Sequence, residues 1–253
     1  MTYVACIVAA APLRATNSHR SEMVSELLLG EFAEVLETEK DFLKIRTLFD
    51  QYEGWCQASQ LAEVDEQIAG LRPTGYTLTR DASAMLNGLP VQLPLATPVY
   101  KTQNPFALGK YELSYLETAA AMLHFSAATI EQTARLFLHV PYLWGGRTSF
   151  GIDCSGFTQQ VYKTMGIALL RDASMQATMG TDVGFLEETR CGDLAFFDNA
   201  EGRITHVGIL LNNETIIHSS GRVRIDKIDH QGIVNVDTAQ RTHQLRMIRR
   251  MVD

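Results

Sequence analysis

Cys154 is the residue of this sequence best placed for nucleophilic chemistry. It follows a glycine-rich loop and opens a segment in which Phe157, Val161 and Met165 recur at every fourth position, the spacing of a buried helix face. Asp153, directly before it, is a favoured type of N-cap residue. The sequence therefore predicts a thiol in the first turn of a helix, where the positive end of the helix dipole favours the thiolate. The unpaired backbone N–H groups of that turn can also hold a developing oxyanion.

A thiol nucleophile needs a base, and two of the seven histidines lie where they can supply one. His206 and His218 each lie in an apolar, strand-like run, and the polar residues 212–214 separate the two runs. This pattern predicts a β-hairpin whose paired strands place both imidazoles on one face. One imidazole would then take the thiol proton, and the other would orient the first through its second ring nitrogen.

Four short motifs in this half of the chain occur together in one known family. They are Asp153-Cys154-Ser155-Gly156, Gly192-Asp193-Leu194, His206-Val207-Gly208-Ile209 and Ile217-His218. Their order and spacing over residues 125–253 resemble the NlpC/P60 cysteine peptidases of bacterial cell-wall metabolism. The resemblance implies a papain-like α+β domain in which Cys154 is the nucleophile, His206 the base and His218 the orienting residue.

The resemblance also implies a substrate. Family members with N-terminal SH3-like domains act on murein peptides with a free N-terminal L-alanine and cut between γ-D-glutamate and the diamino acid. An acidic residue in the cleft wall would pair with the terminal ammonium, and Asp172 is the first candidate. The other candidate substrate-binding residues are Arg171, Ser174, Trp144, Tyr142, Asp153, Ser155, Tyr52 and Glu22.

Several of these candidates also have a purely structural interpretation. Asp153 serves as a helix cap in that case, and Tyr142 and Trp144 are core aromatics. Glu22 and Tyr52 would be ordinary residues of the N-terminal barrel.

The remaining cysteines and histidines receive structural interpretations. Cys6, Cys56 and Cys191 have the surroundings of buried or turn residues, and no Cys-x-x-Cys spacing indicates a zinc site. We therefore expect neither a metal nor an organic cofactor. The histidines without a catalytic assignment are His19, His124, His139, His230 and His243.

The chain divides into three predicted regions. Residues 1–65 contain short strand-like runs and resemble a bacterial SH3 domain through Pro12-Leu13-Arg14, Leu29-Gly30-Glu31, Gly54-Trp55 and Gln60-Leu61. In residues 66–123, the stretch 89–100 contains three prolines in strand-like surroundings. Either a second, degenerate SH3-like barrel or an ordered linker fits this region. Residues 124–253 begin with a helix, for which Thr129 is the predicted N-cap, and continue with strands. The predicted fold is thus all-β SH3-like in the N-terminal part and α+β papain-like in the C-terminal part.

The composition and the N-terminal segment indicate which partners and which compartment to expect. The chain has 253 residues, 46% apolar content and a net charge of −7, which argues against nucleic acid and anionic membranes as partners. The apolar residues 2–11 are interpreted as a strand and not as a signal peptide, because no basic segment precedes them. We expect a cytoplasmic protein, with a periplasmic or secreted one as the alternative.

Together these features predict a cysteine endopeptidase of murein peptides that serves cell-wall peptide recycling. One alternative is a thiol amidase or acyltransferase on the same fold, since a fold does not determine the chemistry. The other is a wall-binding module with an inactive peptidase half. The sequence leaves open whether the diamino acid is lysine or diaminopimelate, and it does not indicate an oligomeric state.

Overall fold

The computed structural model describes residues 1–100, 105–116 and 120–252, and the chain forms two compact units. The first contains Met1–Leu123 together with Trp144–Phe150, and the second contains His124–Leu143 and Gly151–Asp253. The segment Trp144–Phe150 was predicted as part of the C-terminal domain of residues 124–253. In the structure it belongs to the first unit.

The first unit is built almost entirely from strands. These are β1 (Tyr3–Cys6), β2 (Ala10–Arg14), β3 (Met23–Leu28), β4 (Phe32–Glu39), β5 (Phe42–Thr47), β6 (Glu53–Gln57), β7 (Leu61–Val64), β8 (Gly75–Thr77), β9 (Ser83–Leu86), β10 (Leu89–Gln92), β11 (Pro98–Val99), β12 (Phe106–Leu108), β13 (Tyr111–Tyr115), β14 (Ala120–Ala121) and β15 (Arg147–Thr148). A 3₁₀ turn (Ala58–Gln60) and the helix α1 (Glu66–Ala69) complete the described part of this unit.

Strands β1–β7 form one antiparallel sheet in the order β3-β2-β6-β5-β4-β1-β7. Its apolar side chains alternate with polar ones, as a sheet with one buried face requires. Leu13, Leu27 and Ile45 are fully buried in its core, together with the thiols Cys6 and Cys56. The structural interpretation of these two cysteines therefore agrees with their position.

Residues 66–123 contain two further sheets, with the strand orders β10-β9-β13-β12 and β11-β8-β14. Their hydrophobic core is shared with the N-terminal sheet: Leu93, Tyr100 and Phe106 pack in one cluster with Leu29 and Phe32. The ring of Tyr100 stacks on that of Phe106, with centroids 5.0 Å apart, and its hydroxyl donates to the Gly30 carbonyl at 3.1 Å. The described residues of this region are thus part of the first unit's core.

A buried ion pair attaches the segment Trp144–Phe150 to the first unit. The Arg147 guanidinium donates to both carboxylate oxygens of Glu31, at 3.0 and 3.2 Å, and to the Glu26 carbonyl at 2.5 Å. The backbone N–H of Arg147 donates to the Glu26 carboxylate at 2.6 Å. Gly145 has a φ of +75°, and a Cβ there would lie 2.4 Å from the Met23 carbonyl oxygen, so this close approach requires glycine.

The second unit combines helices with one large sheet. Its helices are α2 (Ala127–Leu136), α3 (Cys154–Lys163) and α4 (Ala173–Gln176), with a 3₁₀ turn at Leu186–Glu188. Its strands are β16 (Gly151–Ile152), β17 (Thr181–Asp182), β18 (Leu194–Asp198), β19 (Ile204–Leu210), β20 (Thr215–Ser220), β21 (Arg222–Asp229), β22 (Gly232–Val234) and β23 (Arg241–Arg250). The predicted combination of an all-β N-terminal part with an α+β C-terminal part is confirmed.

Six of these strands close into a barrel. The sheet runs β17-β23-β18-β19-β20-β21-β22, and β22 pairs again with β23. Leu210, Ile216, Ile228 and Ile233 belong to one buried apolar cluster of these strands. Helix α3 packs against β19 and β20, with Phe157 and Val161 fully buried.

The first helix of this unit begins earlier than predicted. Its N-cap is Ser126, whose hydroxyl accepts from the Thr129 N–H at 3.1 Å, so Thr129 lies inside the first turn. The prediction of Thr129 as the cap was wrong because two hydroxyl residues three positions apart both suit a cap, and the backbone conformation decides between them. In the described part of the chain, no helix has both the length and the apolar composition that a membrane span requires.

Candidate active site

Cys154 is the first residue of α3. The Asp153 carboxylate caps this helix by accepting from the Gly156 N–H at 2.6 Å. The cap leaves the N–H groups of the first turn directed out of the helix end, next to the thiol. Backbone N–H groups of Ser155 and Val207 act on the Cys154 sulfur and lower its pKa. The predicted cap and the helix-start position of the thiol thus agree with the structure.

A buried arginine braces this helix start. Arg171 donates to both Asp153 oxygens, at 3.0 and 2.5 Å, and to the Ser155 hydroxyl at 2.9 Å. The Arg171 side chain is 1% exposed. These hydrogen bonds give Arg171 a positioning role at the helix start, and its predicted substrate contact stays a prediction. Asp153 and Ser155, also buried, belong to the same brace.

The two predicted histidines lie on paired strands. β19 and β20 are antiparallel with Gly208 opposite His218, so His206 and His218 share a face two positions apart along the ladder. His206 Nε2 lies 2.8 Å from His218 Nδ1, and both side chains are buried. Val207, whose N–H acts on the Cys154 sulfur, is the neighbour of His206. The hairpin therefore brings the imidazole pair to the thiol end of α3.

Asp226 extends the pair, and sequence reasoning missed it. Its Oδ2 lies 3.0 Å from His218 Nε2, and its Oδ1 accepts from Arg224 and from the Val236 N–H, each at 2.9 Å. Asp226 shares one face of β21 with the buried Ile228, and it is itself only 2% exposed. A buried carboxylate in a strand needs a partner, and the preceding histidine strand supplies it.

The chain of hydrogen bonds from Asp226 through His218 to His206 determines which ring nitrogen of each histidine carries the proton. The hydrogen bonds of Asp226 to His218, to the Val236 N–H and to Arg224 lower its pKa to about 2, against the opposing effect of burial. The carboxylate therefore accepts, and His218 donates from Nε2. Neutral His218 then accepts at Nδ1, so His206 donates from Nε2. The lone pair of His206 consequently lies on Nδ1, the nitrogen available to take a thiol proton.

Burial sets the resting charges of the thiol and the imidazole. It raises the pKa of the Cys154 thiol to about 12, and the Asp153 carboxylate adds to the rise. It lowers the pKa of His206 well below 6.5, and the neighbouring histidines act in the same direction. Both shifts favour a neutral thiol beside a neutral imidazole, whereas the helix dipole alone predicted a thiolate. The proton therefore moves when the sulfur attacks.

Three further substrate candidates lie in the second unit. The backbone N–H of Tyr142 donates to the Gly221 carbonyl at 3.0 Å. Burial raises the pKa of its phenol, and Cys154 and Asp153 raise it further, which places the phenol in the electrostatic field of the site. Asp172 precedes α4 as its half-buried N-cap residue, and Ser174 is exposed on the first turn.

The other three candidates lie in the first unit. The indole N–H of Trp144 donates to the Glu22 carboxylate at 2.7 Å, which holds the two side chains together although they are 122 positions apart. Trp144 remains 59% exposed. Tyr52 is half-buried directly before β6, and its backbone N–H donates to Thr47 Oγ1 at 3.0 Å.

Over residues 1–100, 105–116 and 120–252, no group of three or more His, Cys, Asp and Glu side chains is arranged to hold a metal ion. The donors around Cys154 are instead used in the hydrogen-bonded relay of His206, His218 and Asp226.

Comparison with known proteins supplies two family matches and several relatives. Residues 139–242 match the NlpC/P60 family, and residues 13–61 match the bacterial dipeptidyl-peptidase SH3 domain. The chain is 27% identical over 232 residues to a gamma-D-glutamyl-L-lysine dipeptidyl-peptidase of Bacillus cereus, covering 81% of this chain and 68% of the relative. It is 26% identical to dipeptidyl-peptidase 6 of Lysinibacillus sphaericus, covering 87% of this chain and 90% of that protein.

A crystal structure has the same fold. It is an NlpC/P60 family protein from Bacillus cereus with a TM-score of 0.80 and 20% identity, covering 99% of this chain and 100% of that one.

Proposed function

The chain belongs to the NlpC/P60 family of cysteine peptidases, and we propose that it hydrolyses the bond between γ-D-glutamate and the diamino acid in murein peptides that begin with a free L-alanine. The observation that carries the proposal is the buried relay of His206, His218 and Asp226 at the thiol end of α3. The relatives that cover both halves of the chain support the substrate, since their names specify dipeptidyl-peptidases and, for one, the gamma-D-glutamyl-L-lysine bond.

The first half of the reaction uses the neutral thiol–imidazole pair. His206 Nδ1 takes the thiol proton as the Cys154 sulfur bonds to the γ-glutamyl carbonyl carbon. The backbone N–H of Cys154 stabilises the resulting oxyanion together with a neighbouring N–H of the helix start. The imidazolium keeps its Nε2–H on His218, and Asp226 balances the added charge through that ring.

The second half releases both products. His206 gives its proton to the amine of the diamino acid as the C–N bond breaks, which leaves a dipeptidyl thioester on Cys154. His206 then takes a proton from water, whose oxygen bonds to the thioester carbon. The C–S bond breaks, the thiolate recovers its proton, and L-Ala-γ-D-Glu leaves as a free acid. The cycle uses no metal and no organic cofactor.

Substrate selection is the finer part of the proposal. Asp172 pairs with the terminal ammonium, and Tyr142 and Ser174 line the same end of the peptide. In the first unit, the Glu22 carboxylate accepts from the Trp144 indole N–H, and Glu22, Trp144 and Tyr52 remain candidate substrate-binding residues of that unit. A chain end is thereby preferred to intact wall, which suits the recycling of released murein peptides in the cytoplasm.

The experiment is mass spectrometry of the products from L-Ala-γ-D-Glu-L-Lys and from its N-acetylated form, with the diaminopimelate peptide in parallel. We expect L-Ala-γ-D-Glu from the free peptide, and a loss of about a hundredfold or more in kcat/KM on acetylation, since unpairing a buried charge costs about 2–5 kcal/mol. Asp172→Asn should weaken the free-amine substrate selectively, while Asp182→Asn, at an exposed surface pair, serves as the matched control. Equal cleavage of both peptides would contradict end selection.

The nucleophile is tested separately. Cys154→Ala should abolish hydrolysis, and Cys191→Ala, which changes a thiol outside the relay, should leave it unchanged. His206→Ala should be nearly as severe as Cys154→Ala, whereas His218→Ala should retain a trace because it orients the base. Transfer of the dipeptidyl group to an added amine in place of water would identify an acyltransferase instead.

A further inference from the structure

His243 lies against the catalytic base, although the sequence pattern attached no chemistry to it. It is part of β23, opposite Ile233 of β22. Its ring stacks on that of His206 with centroids 4.1 Å apart and an interplanar angle of 23°. The His218 ring stands nearly perpendicular to both, with its centroid 5.8 Å from that of His243. Three imidazoles from three strands therefore form one cluster.

The contacts of His206 leave its ring little freedom. His218 holds its Nε2 edge at 2.8 Å, His243 lies parallel to its plane, and the Phe197 ring is tilted against it with centroids 5.7 Å apart. One hydrogen bond restrains one atom of a ring, whereas a flat neighbour restrains the ring plane. We propose that His243 is a positioning residue that fixes the ring plane of the catalytic base His206 by stacking on it.

The charges around His243 are compatible with a positioning role. The titratable groups that act on the stacked pair are His218, which affects both rings, and Asp226, which affects His243. Burial lowers the pKa of His243 to about 4, and His218 lowers it while Asp226 raises it. His243 is thus uncharged at neutral pH, and a neutral ring stacked on His206 avoids the repulsion that a second cation would exert on the imidazolium formed during attack.

The test compares three substitutions at one position. His243→Phe keeps a flat ring without nitrogen, His243→Gln keeps polarity without an aromatic face, and His243→Ala removes the contact. His230→Ala is the matched control, because His230 is an exposed histidine of the same unit whose side chain pairs with Glu187. Thermal unfolding is recorded for each, and the glutamine variant keeps the comparison intact if the alanine variant fails to fold.

Two readouts are measured: kcat and KM on the murein tripeptide, and the rate of Cys154 alkylation by iodoacetamide at neutral pH, followed by peptide mass mapping. The inference rests on the proposed cysteine peptidase chemistry, but alkylation needs no murein substrate and so separates failure of the substrate assignment from failure of the inference. We expect the alanine and glutamine variants to lose about tenfold in kcat and in alkylation rate, with KM unchanged and with the phenylalanine variant close to wild type.

Wild-type rates in the alanine and glutamine variants would overturn the proposal. A phenylalanine variant as impaired as the alanine variant would also overturn it, since the nitrogens of His243 and not its flat face would then matter. A change confined to KM would assign His243 to substrate binding instead.

Discussion

At the scale of single residues, the hydrogen bonds of Asp226, His218 and His206 decide where the proton of each ring lies. Asp226 accepts from His218, His218 accepts from His206, and His206 is left with a lone pair at Nδ1. Because the three side chains are buried, water does not compete for these hydrogen bonds. Asp226 is therefore as much a part of the relay as the two histidines, although it lies on a third strand.

Asp226→Asn should lower kcat by on the order of a hundredfold, with KM little changed, because the amide removes the charge that balances the imidazolium and can hold His218 in the wrong tautomer. Steady-state kinetics on the murein tripeptide measure the effect. Asp229→Asn is the control, because Asp229 lies on the same strand but pairs with Arg241 at the surface. Unchanged kcat in Asp226→Asn would remove Asp226 from the relay.

At the scale of elements, side chains alternate between the two faces of β19 and β20, and both histidines lie on the face that also carries apolar core residues. His206 and Leu210 share one parity on β19, His218 and Ile216 share one on β20, and all four are buried. Gly208, between the first two, faces the same way. A Cβ at Gly208 would lie 2.8 Å from the His218 Cβ, closer than real contacts allow. The glycine thus provides the space that the second imidazole occupies.

Gly208→Ala should therefore displace His218 and lower kcat by about tenfold or more, since a small misplacement of a catalytic group is costly. Overpacking of this kind also destabilises a fold by about 1–3 kcal/mol. Gly184→Ala is the control, because no atom lies within 4 Å of a Cβ at Gly184. Wild-type turnover in Gly208→Ala would show that the His218 position tolerates this shift.

At the scale of the whole molecule, each unit has its own buried cluster of ionisable side chains. The histidine cluster makes the stability of the second unit depend on pH, and the ion pair of Arg147 contributes to the stability of the first. In the second unit, burial lowers the pKa of three histidines: His206 well below 6.5, His218 below 6.5, and His243 to about 4. In the first unit, Arg147 is 1% exposed and holds the 5% exposed Glu31 through two hydrogen bonds.

Acid should destabilise the second unit. The three histidines are neutral in the folded state but take protons near pH 6.5 when unfolded, so the unfolded state binds more protons below that pH. Their contribution to stability is present above 6.5 and is lost as the pH falls towards 4. Hydrogen exchange of the β18–β21 amides across this range measures it, with His230→Gln as the control. Protection independent of pH would contradict the prediction.

Arg147→Leu should lower the unfolding free energy of the first unit by about 3–5 kcal/mol, because it leaves the Glu31 carboxylate buried without its counter-ion. The chain's two tryptophans, Trp55 and Trp144, both lie in this unit, so tryptophan fluorescence during urea unfolding reports on it. Arg46→Leu is the control, because the Arg46 ion pairs are partly exposed. Equal effects of the two substitutions would show that burial of the Arg147 pair contributes little.

The sequence by itself determined the parts of this protein that depend on short stretches of chain. Asp153 and Cys154 could be assigned to a helix start, and His206 and His218 to a hairpin, because cap preference and two-residue alternation act over a few positions. The cap of α2 was misplaced by three positions, from Ser126 to Thr129, because neighbouring hydroxyl residues compete locally.

Only the tertiary structure decided which distant residues complete the site. Asp226 and His243 reach the imidazole pair through the register of β21 and the closure of the barrel by β23, and Arg171 reaches Asp153 from beyond the end of α3. The inclusion of Trp144–Phe150 in the first unit likewise depends on Arg147 finding Glu26 and Glu31 more than a hundred positions away. Such contacts arise from the burial of charges and rings against one another, and nothing in local spacing encodes which partner they meet.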